Sequence, residues 1–128
     1  MMLFYSSWVF LGNAATTFYK KYYLYSFLFL GLTITSLVFH WAPTPSKMLV
    51  DQCFVAAVIL CGGYVFYEKW PANGYLAAVV VTTFLLTGFL HPYGFCTQQY
   101  CFHPEYGDHY HARLHLIASF RHHLITFM

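Results

Sequence analysis

An all-α integral membrane bundle of about five spans is what this sequence predicts, and three observations carry the prediction. Of its residues 59% are apolar and 23% aromatic, while only 8% are charged, against about 25% charged in a soluble domain. The apolar residues gather in runs that approach the roughly 20 residues a helix needs to cross a bilayer. Helix-ending punctuation separates the runs: Lys20-Lys21, Pro43 and Pro45, Glu68-Lys69 followed by Pro71 to Gly74, and His91-Pro92. A chain of 128 residues with this composition makes a single transmembrane domain, residues 1–128, and not an aqueous core. Its net charge of +2, with no basic stripe, points away from nucleic acid as a partner.

The first predicted span covers about residues 1–18 and is interrupted by Asn13. It reads as a span and not a signal peptide, because it has no basic start and no clear small-residue cleavage site. The second, residues 22–41, contains no Lys, Arg, Asp or Glu and is stopped by Pro43 and Pro45. The third, residues 48–67, carries Asp51 in its first turn; the fourth, residues 75–90, is rich in Val, Leu and Phe and is predicted to stop at His91-Pro92. A polar loop leads to the fifth, residues 108–128, which contains Arg113, Arg121, His122 and His123. Those charges leave open an amphipathic helix lying in the interface. Tyr22, Tyr23, Tyr25, Trp41, Trp70 and Tyr75 fall at span ends as an aromatic belt.

If all the spans cross, Lys20, Lys21, Glu68, Lys69 and Arg121 share one face, and Lys47 and the long loop share the other. The excess of Lys and Arg makes the first face cytoplasmic or matrix-side, with Arg121, His122 and His123 among its headgroups. The N-terminus then lies on the opposite, non-cytoplasmic (or non-matrix) side. The same tracing brings Ser36, His40, Asp51, His111 and His115 to one depth near that outer side.

Two of these pairs, Ser36 with His40 and His111 with His115, are spaced four residues apart. On a helix that spacing puts both side chains on one face. Three neutral imidazoles suit Zn2+, and catalytic zinc sites commonly keep three protein ligands and a water whose pKa falls to about 7. His40, His111 and His115 are the candidate metal ligands. Asp51 is the candidate general base for that water, and Ser36 a candidate donor to the oxyanion formed when a carbonyl is attacked.

Other readings of the same residues stay open. A single Ser or His in a helix commonly bonds a neighbouring carbonyl, whereas ionisable groups inside a membrane point to function. Histidines on facing helices also hold haem or copper. Cys96 and Cys101 can bridge in an oxidising compartment, or form a second zinc site with His103 and His109. Cys53 and Cys61 read as small apolar fillers. His91 is an alternative third ligand or a helix-end hydrogen-bonding group.

The pattern Ser36-Leu37-Val38-Phe39-His40, then Asp51 eleven residues on, then His111-Ala112-Arg113-Leu114-His115, resembles the CREST superfamily of membrane hydrolases. That superfamily includes alkaline ceramidases, adiponectin receptors and Per1-like proteins. The His-Ala-x-x-His motif and the spacing across the first two stretches are most similar to alkaline ceramidases. The resemblance implies a seven-helix fold, zinc on the three histidines, and Asp51 and Ser36 supporting the metal's water. Arg113 and Leu114 stand where the family carries an aromatic pair, and no Asp or Glu precedes Asp51 to match the ceramidases' acidic calcium site. The chain therefore looks like a shortened member. The expected function is a zinc-dependent hydrolase of a lipid amide or ester drawn from the surrounding membrane lipids. The alternative is a non-catalytic subunit of a larger membrane complex that keeps a structural or vestigial zinc, with other subunits or copies of itself as partners.

Overall fold

Six helices joined by tight turns account for nearly the whole chain, and no strand interrupts them: α1 Met2–Ser7, α2 Val9–Tyr19, α3 Tyr23–Trp41, α4 Pro45–Lys69, α5 Gly74–Thr97 and α6 Gly107–Phe127. The computed structural model describes residues 1–128. The α2–α3 turn is made by Lys21 in the left-handed region, at φ 65°. The two prolines that end α3 also start α4. Pro45 occupies its first turn, where no N–H partner is missing, and the Thr44 hydroxyl accepts from the Lys47 N–H at 3.3 Å.

Three helical stretches are long and apolar enough to cross a membrane: Tyr23–Trp41, Pro45–Ala72 and Gly74–Phe102, the last two including the 3₁₀ turns that follow α4 and α5. The first predicted span differs, because it breaks at Trp8 into helices of 6 and 11 residues. The fourth also differs, because α5 does not stop at His91-Pro92 but carries Pro92 inside and runs on to Thr97. A proline removes one N–H from the ladder of a helix this long, and the rest still holds. The actual stop is Gln98 in the left-handed conformation, φ 55°, with the Gln99 N–H bonded to the Gly94 carbonyl at 3.1 Å.

From His115 onward α6 buries mostly polar side chains and exposes large apolar ones. His115, Ser119, Arg121, His122 and Thr126 are buried, whereas Leu116, Phe120 and Phe127 are each more than half exposed. The expected place of Arg121 and His122 among the headgroups is thus corrected: both point inward, because polar partners await them there. Such an inverted helix suits an apolar surround, in which polar groups must be satisfied inside the protein.

α6 packs against α1, α2, α4 and α5, while α2, α3 and α4 form consecutive hairpins. The core between them joins Phe10, Ala14, Tyr25, Phe29, Leu32, Val58, Val65, Val80 and Ile125. Asn13, the apparent interruption of the first segment, is fully buried and clamps α2 to α6. It accepts from the Ser119 hydroxyl at 2.6 Å and donates to the Ser119 carbonyl at 3.0 Å. Tyr25 of α3 bonds through its hydroxyl to Nδ1 of His122. Gly62 of α4 makes room for that pair, since a Cβ there would lie 2.6 Å from the Tyr25 hydroxyl and 2.9 Å from the His122 ring. At the C-terminal end of α4, Lys69 Nζ caps the Ile125 and Thr126 carbonyls at 3.1 and 2.9 Å.

Asn13→Ala is expected to destabilise the bundle by about 1 kcal/mol, read as a lower unfolding midpoint in detergent. An unchanged midpoint would show that the Asn13–Ser119 clamp contributes nothing.

Candidate metal centre

His40 reaches the site from the last turn of α3, and His111 and His115 from the first half of α6. The i, i+4 spacing does what it predicts, since the His111 and His115 rings lie 4.8 Å apart between centroids. His40 faces both, at 5.3 Å from His111 and 5.4 Å from His115. One ligand nitrogen from each of the three lies within 4.8 Å of the others. The centre of a triangle with 4.8 Å sides lies about 2.8 Å from its corners. Zinc–imidazole bonds need about 2.1 Å, so each ring has to close by at most about 0.7 Å. Side-chain rotation supplies movements of that size, and the all-imidazole donor set suits zinc.

His115 is oriented by a residue that sequence reasoning did not single out. Ser6 Oγ lies 2.8 Å from His115 Nδ1 and donates its own proton to the Leu3 carbonyl at 3.1 Å. With that proton on the Leu3 carbonyl, Ser6 accepts from Nδ1–H, and this is the tautomer that leaves the lone pair of His115 on Nε2. This is the arrangement in which an outer partner fixes tautomer and ring for metal ligation. Ser6 sits in an apolar run 109 residues from His115, and no local pattern announces such a pairing.

Asp51, at the start of α4, is 4% exposed. Its Oδ1 accepts from Ser36 at 2.8 Å and from Thr35 at 2.9 Å. Ser36 had been expected as a donor to an oxyanion, but here its single proton is committed to Asp51 and it acts as a positioning residue. Thr35 is a second donor that the i, i+4 rule passes over, because adjacent residues do not share a helix face. Both reach the carboxylate because Asp51 lies between them on the neighbouring helix. Oδ2 has no protein partner. Ser36, Asp51, His111 and His115 all line one cavity of about 310 Å³ between α3, α4, α5 and α6.

His91 lines the same cavity but stands outside the three-histidine cluster. The four cysteines are free thiols, and Cys53 is exposed and not a core filler. No cluster joins Cys96 and Cys101 to His103 and His109. His103 Nδ1 instead accepts from the Glu105 and Tyr106 N–H groups, each at 3.1 Å, and shapes the loop before α6.

No family model, curated protein or solved structure matches this chain. The chemistry of the site rests on its geometry.

Ser6→Ala is expected to weaken zinc binding about 10- to 100-fold, measured by competition with a chromophoric chelator, while the fold is kept. Equal affinity would remove Ser6 from the site.

Proposed function

We propose that the chain is a zinc-dependent intramembrane hydrolase of a lipid amide or ester, a shortened, ceramidase-like relative of the CREST superfamily. The observation that carries this reading is the meeting of His40, His111 and His115 beside a cavity into which Asp51 is held by two hydroxyls. When bound, zinc supplies a water that is nucleophilic at neutral pH and a Lewis acid for a carbonyl.

The chain's own residues do the rest. Ser36 and Thr35 both donate to Oδ1 of Asp51, Thr35 sharing its proton with the Leu32 carbonyl at 3.2 Å, which leaves Oδ2 as the atom that accepts a proton from water and returns it to the leaving group. The cavity is lined largely by apolar side chains such as Phe29, Leu32 and Val55, which favours an acyl chain and excludes bulk water. α4 and α5 pack along α6 and not tightly along one another, so their shared flank is the side from which a lipid would enter. The Lys20, Lys21 and Lys69 side chains near the α2–α3 and α4–α5 turns support a cytoplasmic or matrix-side position for those turns, with the metal centre toward the other side.

A second reading is favoured by α5, where only Ala77, Val80 and Gly94 of 24 residues are buried. A helix so little covered suits a non-catalytic subunit that docks against other membrane chains or copies of itself, with the zinc structural. Turnover separates the two readings, because a structural site gives none.

His111→Ala should lower zinc content sharply by elemental mass spectrometry of the detergent-purified protein; full retention of metal would remove the centre. Asp51→Asn should abolish hydrolysis of a short-chain fluorescent ceramide while leaving zinc in place. If the wild type hydrolyses no lipid amide or ester yet holds one zinc per chain, the subunit reading stands.

A further inference from the structure

Arg121 lies six residues beyond His115 on α6, roughly 9 Å further along the helix axis. It is 5% exposed. Nη1 donates to the Thr87 hydroxyl of α5 at 3.0 Å, and the guanidinium stacks over the Phe84 ring at 4.8 Å. Thr87 is itself fixed, because its proton goes to the Thr83 and Phe84 carbonyls at 3.0 and 3.1 Å. Nε–H has no partner at all, and none of the chain's four carboxylates bonds to the guanidinium.

Arg121 also lines two spaces at once. One is the cavity that Asp51, His111 and His115 line; the other is an apolar cleft of about 240 Å³ between α4 and α5, walled by Ile59, Phe66, Val80 and Leu85. A buried guanidinium with no counter-charge is expensive in an apolar surround, and its planar fork matches a carboxylate or phosphate. We propose that Arg121 anchors an oxyanion subsite for a single-chain anionic lipid, with the head on Nε–H and Nη of Arg121 and the chain in the α4–α5 cleft. Thr87 and Phe84 hold the guanidinium in place. The inference goes beyond the hydrolase reading and needs no metal at the histidines.

The test is fluorescence binding of cis-parinaric acid and of its methyl ester to the detergent-purified full chain, at alkaline pH where the acid is ionised. The acid should bind about tenfold tighter than the ester or better. Arg121→Met should bring the acid down to the ester's affinity, and His111→Ala should leave the preference intact. Because Met removes an unpaired buried charge, the Arg121→Met midpoint should be no lower than wild type, so loss of binding is not loss of fold. Equal binding of acid and ester to the wild type overturns the proposal. So does a preference that survives Arg121→Met, and so does one lost in His111→Ala, which would put the carboxylate at the histidines. Millimolar inorganic phosphate should displace the acid only weakly; complete displacement would make the site one for a free ion and overturn the lipid assignment.

Discussion

The buried polar face of α6 has to find its hydrogen-bond partners inside the protein, and the other helices are arranged to supply them. α1 gives Ser6 to His115, α2 gives Asn13 to Ser119, α3 gives Tyr25 to His122, and α5 gives Thr87 to Arg121. Lys69 at the end of α4 closes the list by taking the Ile125 and Thr126 carbonyls. Between chains of apolar atoms dispersion is much the same against lipid as against protein, so directional bonds carry the specificity of packing. The bundle is therefore wired through one helix. The apolar core of Phe10, Phe29, Leu32 and Val58 fills the space between these bonds.

The same wiring decides where chemistry can occur. α6 carries two of the three clustered histidines, and the α3–α4 hairpin carries the third together with the Asp51 carboxylate and its two hydroxyls. Side-chain contact between α3 and α6 thus brings the three imidazoles together beside the cavity that Asp51, His111 and His115 line. The Tyr25–His122 bond, with the space that Gly62 of α4 leaves for it, ties α3 to α6 further along. A site assembled across helix interfaces in this way is only as well ordered as the contacts behind it.

Much of this was legible in the sequence where the signal is local. The composition and the runs predict helices in an apolar surround, and a spacing of four residues predicts that His111 and His115 share a face. The meeting of His40 with them also followed from tracing the helix ends to a common depth. Ser6, Thr35 and Thr87 were not legible, because each acts through a partner on another helix and a lone hydroxyl has no periodicity. Arg121 was misplaced for a related reason: near a helix end a cation reads as headgroup-facing, and only the Thr87 and Phe84 partners turn it inward. His91-Pro92 does not stop α5, because the helix loses one N–H there and keeps the rest of its ladder as far as Thr97.

The inverted polarity of α6 bears on the order in which the protein is made. Left alone in a bilayer, a helix with Arg121, His122 and His115 on one side would partition poorly. The three helices α3, α4 and α5 are long and apolar enough to enter lipid on their own hydropathy, and α6 is not among them. Its buried polar face is matched only where the other helices offer partners, namely Ser6, Asn13, Tyr25 and Thr87. In a two-stage assembly the helix carrying two of the three clustered histidines would join after the apolar helices, so that a half-assembled protein would have its apolar helices and no histidine centre.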